Sequence, residues 1–345
     1  MKLVLNGHDE RYVVEQGMLN LFPGERPVYE PIGPGDDSWA VVTLREDDRC
    51  HVTVELCFRG KSLPYSLDVP LVGDEFQREG IRRRAIGKCF FLAARALTGH
   101  TPPWGMLTGV RPVKLPTRAL LSGATPLQAK QELREEYYVS PDRAALAVDC
   151  AQASIAAQRS LKEGEVSLYL GIPFCPTRCA YCSFVSADVG RTLTLVEPYV
   201  DALLKEIDGT ARVLTESGRT IRSFYMGGGT PTTLSARQLD RVLTRCEQVL
   251  PLEGCTELTV EAGRPDTINR EKLEVLRAHG VGRVSINPQT LEDHVLEAIG
   301  RKHSSGDIQT AYDLARKVGF DCINMDLIAG LPLDSLGGFR RSLDG

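Results

Sequence analysis

The β-type run Val166–Leu170 leads into the stretch Tyr169-Leu170-Gly171-Ile172-Pro173-Phe174-Cys175-Pro176-Thr177-Arg178-Cys179-Ala180-Tyr181-Cys182. Its three cysteines follow the spacing Cys-x3-Cys-x2-Cys, so three thiolates on one short loop can surround one metal centre. Thiolate is the usual protein ligand of iron–sulfur clusters. A zinc site normally has a fourth Cys or His ligand, and the nearest histidines, His100 and His279, are far away in sequence. The stretch therefore favours an iron–sulfur cluster over zinc.

Short β-rich runs alternate with helical stretches around and after this loop. The candidate strands are Val166–Leu170, Ile221–Met226, Thr256–Val260, Arg283–Ile286 and Cys322–Ile328, and helices fall near 196–217, 235–249, 270–279, 291–299 and 307–318. Such alternation predicts an α/β fold with a parallel sheet, either a TIM-type barrel or an open sheet. A sixth unit is expected after Leu331-Pro332, so we expect this domain to be incomplete at its C-terminal end.

Polar and glycine residues follow successive predicted strands, where active sites of parallel barrels are found. Glycines allow positive φ angles and a close approach of backbone to ligand, side-chain carboxylates and amides can hydrogen-bond a ligand, and an arginine can pair with a carboxylate. Asp326 falls within the fifth apolar strand, where a buried carboxylate needs a partner. The residues concerned are Gly227-Gly228-Gly229-Thr230 after the second strand, Glu261 after the third, Gln289 after the fourth, Arg301 after the next helix, and Asp326.

The first half of the chain has a different pattern. Alternating runs over residues 39–70 predict an antiparallel hairpin or meander, followed by a helix from about Phe76 to Leu97 that ends at Gly99. We interpret its Arg82-Arg83-Arg84 triplet as a solvated helix face rather than a polyanion site. We therefore predict a smaller α+β domain over residues 1–162 and a second domain over residues 165–345.

Composition sets the broad class of the protein. The 345 residues have a net charge of −4, and 42% are hydrophobic, which gives no indication of nucleic-acid binding. The N-terminus turns polar too early for a signal peptide and no apolar run could span a bilayer, so a cytoplasmic location is expected. The seven cysteines outside the cluster motif are then expected to be reduced and mostly buried.

The residues from about Glu165 to Leu336 resemble the radical S-adenosylmethionine (SAM) superfamily, and more narrowly its oxygen-independent coproporphyrinogen III oxidase (dehydrogenase) family. The resemblance rests on four motifs besides Tyr169–Cys175: the cysteine triad with Tyr181 before its last member, Gly227-Gly228-Gly229-Thr230-Pro231-Thr232, Arg283-Val284-Ser285 with Gln289, and Asp326-Leu327-Ile328-Ala329-Gly330-Leu331-Pro332. The N-terminal module, with Leu107–Pro112, resembles the long branch of this family found in Gram-positive bacteria.

This resemblance implies a partial TIM-type (β/α)6 barrel and a function in haem biosynthesis. It implies that Cys175, Cys179 and Cys182 hold a [4Fe–4S] cluster whose open iron binds SAM. The residues that it implies around the cluster and SAM are Tyr169, Tyr181, Gly228, Gly229, Thr230, Glu261, Gln289, Arg301 and Asp326. The implied reaction is oxidative decarboxylation of coproporphyrinogen III to protoporphyrinogen IX, with electrons from a donor such as flavodoxin or ferredoxin.

One position departs from the pattern of the characterised oxidases. Those enzymes carry a further cysteine two residues after the triad, where this chain has Phe184. The segment from Cys182 to Phe184 is closer to the haem-chaperone branch of the family. A haem chaperone of the same fold and a radical SAM methyltransferase therefore remain as alternative functions.

Overall fold

The computed structural model of the protein describes residues 1–109 and 111–345. These residues form two compact units, Met1–Ser160 and Leu161–Gly345. Each unit has a hydrophobic core of its own. Val110, within the Leu107–Pro112 motif, lies outside the described residues.

The first unit contains a four-stranded mixed sheet and five helices. Its elements are β1 (Lys2–Asn6), α1 (Arg11–Leu21), β2 (Trp39–Glu46), β3 (Arg49–Phe58), β4 (Lys61–Pro70), α2 (Glu75–Thr98), α3 (Lys114–Leu121), α4 (Pro126–Glu135) and α5 (Pro141–Arg159). The strand order is β1-β2-β3-β4, with β1 parallel to β2 and the other pairs antiparallel. The meander predicted over residues 39–70 is confirmed, whereas β1 and α1 were not predicted.

Helix α2 covers the sheet of this unit. It begins at a capping box, in which the Asp74 carboxylate accepts from the Gln77 amide, and it ends at Gly99 with φ 69°, as the sequence predicts. Alternate residues of β3 are buried and lie in the same core cluster as the buried residues of α2. Arg82 forms ion pairs with Glu46 and Glu75, so that member of the arginine triplet has carboxylate partners, in line with a solvated helix face.

The second unit is an α/β fold. Its elements are β5 (Glu165–Ile172), β6 (Phe174–Cys175), β7 (Ala187–Asp188), α6 (Val189–Glu216), β8 (Thr220–Gly228), α7 (Ala236–Val249), β9 (Glu257–Glu261), α8 (Arg270–Ala278), β10 (Arg283–Ser285), α9 (Asp293–Ala298), α10 (Ser305–Val318), β11 (Cys322–Asn324) and α11 (Leu336–Asp344). Five strands form a parallel sheet in the order β11-β10-β9-β8-β5, which confirms the predicted parallel α/β fold.

The helices of this unit pack on the sheet through apolar residues spaced three and four apart. In α7 the buried residues Leu239, Val242, Leu243 and Cys246 lie on one face, as expected for an amphipathic helix on a core. They join the core cluster that includes Phe224 and Met226 of β8. This packing fixes the strands, and therefore fixes the loops that follow their carboxyl ends. Among the described residues of the chain, no helix has both the length and the apolar character to cross a membrane.

The fifth strand differs from its prediction. It was predicted to run from Cys322 to Ile328, but β11 ends at Asn324. Beyond it, Ile328 and Leu331 pack in a small cluster with Val295 and other residues of and around α9. The first part of the apolar run therefore pairs in the sheet, and the later part packs against α9. Sequence periodicity alone does not show where the first part ends and the second begins.

Candidate cofactor site at the carboxyl ends of the parallel strands

The three cysteines lie on a loop whose two ends are paired. Strand β6, which contains Cys175, pairs in parallel with β7, and the Ala187 amide donates to the Pro173 carbonyl over 2.7 Å. Within the loop, the Cys182 amide donates to the Cys179 carbonyl over 3.1 Å. Cys175 is buried, while Cys179 and Cys182 are half-buried. The pairing of β6 with β7 therefore closes a short loop that carries Cys179 and Cys182.

The same loop is fastened to the end of helix α9. The Thr177 hydroxyl donates to the Gly300 carbonyl over 2.9 Å, and the Ala180 amide donates to the Ile299 carbonyl over 3.1 Å. These two contacts span more than a hundred residues of sequence and flank Cys179. The position of Cys179 is therefore decided by tertiary contacts as well as by the loop itself.

The glycine turn after β8 lies directly against the first cysteine. The Gly229 amide donates to the Ile172 carbonyl over 2.7 Å, and the Thr230 amide donates to the Phe174 carbonyl over 2.8 Å. A Cβ atom on Gly229 would lie 2.7 Å from the Phe174 oxygen and 3.0 Å from Cys175 Sγ. Only glycine fits this contact. The Thr230 hydroxyl donates to Cys175 Sγ over 3.4 Å, so the two sequence motifs meet as expected.

A second group of polar side chains includes Tyr169 and Glu261. Tyr169 and Tyr225 are partners in the β5–β8 register, and their rings stack with centroids 5.9 Å apart. The Tyr225 hydroxyl donates to Glu261 Oε1 over 2.6 Å. Burial raises the pKa of Glu261, while hydrogen bonds from Tyr225 and the Gly228 amide oppose the rise. Sequence reasoning missed Tyr225, because its register with Tyr169 and its hydrogen bond to Glu261 are visible only in the structure.

The third group is centred on Arg301. Its Nη1 donates to the Asn287 carbonyl over 2.6 Å, and its Nη2 donates to the Tyr181 hydroxyl over 3.0 Å. Burial raises the pKa of Tyr181 to about 12, although the neighbouring Arg301 charge lowers it. Within the described part of the chain, Arg301 Nε and Asn287 Oδ1 are buried without a hydrogen-bond partner. These two atoms are groups that a polar ligand would satisfy.

Gln289 and Asp326 meet through their main chains. The Gln289 amide donates to the Asp326 carbonyl over 2.9 Å, and the Ile328 amide donates to the Gln289 carbonyl over 3.0 Å. Gln289 has a φ of 69° and is buried. The expectation of a buried Asp326 within a strand is wrong: Asp326 follows β11, is exposed, and accepts a hydrogen bond from Asn324 Nδ2. The shortened strand leaves its carboxylate on the rim of the sheet.

Arg264 is a functional candidate that the sequence reasoning missed. It follows β9 by three residues, just before the 3₁₀ turn Pro265–Thr267, and it is 3% exposed. Its Nη1 lies 3.8 Å from Cys179 Sγ. The signal that could have found it was its place in a loop at a strand end, the same signal that identified Glu261.

The family model described as the radical SAM superfamily matches residues 169–343 of this chain. The chain belongs to the radical SAM superfamily. The oxygen-independent coproporphyrinogen-III oxidase-like protein HemZ of Bacillus subtilis is 35% identical to this radical SAM protein over 351 residues, which cover 99% of this chain and 70% of HemZ. This match places the chain in the coproporphyrinogen III oxidase-like family, as the sequence motifs predict.

Two further similarities cover about half of the chain. The haem chaperone HemW of Bacillus subtilis is 38% identical over 180 residues, which make up 52% of this chain and 46% of the chaperone. The solved structure of coproporphyrinogen III oxidase (HemN) from Escherichia coli aligns with a TM-score of 0.49 and 31% identity, covering 56% of this chain and 44% of that one. This radical SAM protein thus spans less than half the length of these two relatives.

Members of the superfamily use a [4Fe–4S] cluster and SAM, and the residues present here fit both. Three cysteines on one loop supply thiolates, and Thr230 and Arg264 each direct a donor at one of the sulfurs. Among residues 1–109 and 111–345, no three His, Cys, Asp or Glu side chains are grouped closely enough to hold a single metal ion. A four-iron cluster does not require such a group, because each of its thiolate ligands binds a different iron. The tight glycine turn, and the buried Asn287 and Arg301 atoms that have no hydrogen-bond partner among the described residues, are backbone and side-chain groups that fit a polar ligand such as SAM. The assignment of individual residues to cluster and SAM stays a prediction.

Proposed function

We propose that this radical SAM protein catalyses the oxygen-independent oxidative decarboxylation of coproporphyrinogen III to protoporphyrinogen IX in haem biosynthesis. The observation that carries the proposal is the 35% identity to HemZ along 99% of the chain, because this similarity includes the first unit, Met1–Ser160, as well as the second one. The proposal includes a tetrapyrrole substrate, an external electron donor such as flavodoxin or ferredoxin, and a cytoplasmic location.

In this proposal, Cys175, Cys179 and Cys182 hold the cluster. The bound cluster and SAM supply the one-electron chemistry that removes a hydrogen atom from a propionate side chain. The protein's own residues bind and orient. The glycine turn keeps the backbone after β8 close to Cys175, and Thr230 donates to the sulfur of that ligand.

Glu261 and Arg301 have distinct roles in SAM binding in this proposal. Glu261 offers a carboxylate whose orientation is fixed by the Tyr225 hydroxyl. Arg301 holds the Tyr181 hydroxyl and the Asn287 carbonyl at once, and its Nε has no hydrogen-bond partner among the described residues. A carboxylate acceptor and a guanidinium donor match the amine and carboxylate of an amino acid. We therefore assign Arg301 to the carboxylate of the methionine part of SAM, and Glu261 to the amine of that part or to the hydroxyl groups of SAM.

A second candidate function is haem binding as a chaperone. Phe184 occupies the position where the characterised oxidases that this chain resembles have a further cysteine, and it is 61% exposed. About half of the chain also has 38% identity to a haem chaperone. An exposed aromatic side chain close to the cluster loop would suit an apolar macrocycle. This observation favours the chaperone as the alternative.

The test is anaerobic reconstitution with iron and sulfide, followed by reduction and addition of SAM and coproporphyrinogen III. Mass spectrometry would follow 5′-deoxyadenosine and decarboxylated porphyrin together. Proportional formation of both supports the dehydrogenase. Deoxyadenosine without decarboxylated porphyrin, combined with stoichiometric haem binding, supports the chaperone. Cys179→Ser should abolish both products, while Cys322→Ser, at an exposed cysteine outside the site, serves as the matched control and should keep them.

A further inference from the structure

Arg264 is a buried cation, and each of the three nitrogens of its guanidinium donates a hydrogen bond. Its Nη1 donates to the Thr177 hydroxyl over 2.9 Å and to the Thr177 carbonyl over 3.3 Å. Its Nε and Nη2 form a two-pronged contact with the Asp266 carboxylate, each over 3.1 Å. The same Nη1 lies 3.8 Å from Cys179 Sγ. The guanidinium therefore connects the cysteine loop to the 3₁₀ turn that follows β9.

The charges around this guanidinium are few and well defined. A buried cation requires a compensating negative charge, since an unpaired one is strongly destabilising. Asp266 provides one such charge, and a deprotonated Cys179 would provide another. His303 lies beyond Asp266, with 3.6 Å between its Nδ1 and Asp266 Oδ1, which is too long for a good hydrogen bond. Arg264 is thus shared between the Asp266 carboxylate and the Cys179 sulfur.

We propose that Arg264 is a positioning residue that raises the reduction potential of the cluster through Cys179, and that Asp266 partly offsets this effect. Reduction adds one electron to the cluster and increases its negative charge. A cation and a hydrogen-bond donor at a ligand sulfur stabilise that added charge, and contacts of this kind tune cluster potentials. The carboxylate of Asp266 acts in the opposite direction, because it is a negative charge paired to the same guanidinium.

The asymmetry of the site supports this role. The donor to Cys175 Sγ is the neutral Thr230 hydroxyl, whereas Cys179 Sγ has the cationic Arg264 Nη1 at 3.8 Å in addition to the Tyr181 hydroxyl. The guanidinium of Arg264 is held by Thr177 on one side and by Asp266 on the other, so these contacts keep its charge close to the Cys179 sulfur. A fixed charge has a constant effect on the potential, and a lysine would not reproduce the fork. This inference rests on the proposed ligation of the cluster by Cys179.

The experiment is a redox titration with dithionite, monitored by electron paramagnetic resonance, on reconstituted protein without SAM. For Arg264→Ala we expect the ratio of reduced to oxidised cluster at a fixed potential to fall about tenfold, which is about 59 mV for a one-electron couple. Asp266→Asn should shift the ratio in the opposite direction. Arg264→Lys should fall between wild type and Arg264→Ala. Arg270→Ala is the matched control, since Arg270 is exposed and pairs with Glu274 on α8.

Two sets of outcomes separate this inference from the proposed function. Wild-type protein that binds no cluster, or Cys179→Ser protein that keeps full iron and sulfide, would overturn the ligand assignment and this inference with it. If wild type binds the cluster but Arg264→Ala has the same cluster potential as wild type, this inference alone is overturned. The same holds if the potential shifts in the same direction in Arg264→Ala and Asp266→Asn. If Arg264→Ala fails to fold or to retain iron, the upward shift in Asp266→Asn remains the deciding measurement.

Discussion

The substitution Gly229→Ala tests the contact between the glycine turn and the cysteine loop. The new Cβ would lie 2.7 Å from the Phe174 oxygen, whereas a comfortable carbon-to-oxygen contact is about 3.3 Å or more. One side must therefore move by about 0.6 Å, and overpacking of this kind costs ~1–3 kcal/mol. The question is which side moves.

We expect the cysteine segment to move. Ile172 is fully buried and lies in the long β5–β8 ladder, while Cys175 lies in β6, a two-residue strand paired only with the equally short β7. The shorter ladder should yield first. A displacement of about 0.6 Å exceeds the roughly 0.2 Å within which metal–ligand distances are normally held. If all of this overpacking free energy weakens the binding of the cluster, the affinity for the cluster drops about 5- to 150-fold.

The assay is loss of iron from reconstituted protein to a competing chelator, with thermal unfolding of the apoprotein measured in parallel. Gly209→Ala in α6 is the control, because its Cβ would have no atom within 4 Å; that helix should gain about 0.5–1 kcal/mol with unchanged iron retention. A Gly229→Ala protein that keeps iron as tightly as wild type, with an equally stable apoprotein, would refute the reasoning about this contact.

Three further predictions concern charge and burial. Burial raises the pKa of Glu261 above its ordinary 4.5, so the folded chain binds that proton more tightly than the unfolded chain. The unfolding free energy of wild type relative to Glu261→Gln should therefore fall as pH rises from 4.5 through the raised pKa. Urea unfolding measures this difference, and a difference that does not change with pH contradicts the prediction. Burial raises the pKa of Cys89 to about 12, so at pH 8 iodoacetamide should modify the exposed Cys150 well before Cys89. Peptide mass spectrometry would detect this order, and equal rates of modification would argue against a buried Cys89 thiol. Arg82→Ala removes two partly exposed ion pairs, one of them to Glu46, and should lower the unfolding free energy by about 1 kcal/mol or less. A loss of several kcal/mol in chemical denaturation would contradict the interpretation of this arginine triplet as a solvated helix face.

The sequence motifs led directly to several residues of the site. The spacing of the cysteines identified the loop, and the glycine triplet after a buried strand identified a place of close approach, which the structure puts against Cys175. Both predictions depend on local chemistry, since ligand spacing and glycine backbone freedom can be read along the chain. The parallel sheet also followed from local patterns, because alternating strands and helices require crossover connections.

Residues with a role in three dimensions were harder to predict. Arg264 resembles any polar loop residue in the sequence, and its importance comes from contacts with Thr177 and Asp266 on either side of it. Tyr225 gained significance only through its hydrogen bond to Glu261. Asp326 was expected inside a strand, since an apolar run gives no sign of where a strand stops and packing against α9 begins.

The sequence by itself determined that this chain carries three cysteines on one loop, followed by parallel strands with polar residues at their ends. Those features depend on residue type and spacing, which do not change on folding. The tertiary structure decided which donors reach which sulfur, that Arg301 holds Tyr181 and Asn287 together, and that Asp326 lies exposed on the rim. Such contacts join residues far apart in sequence, and they exist only after the sheet has brought the ends of its strands together.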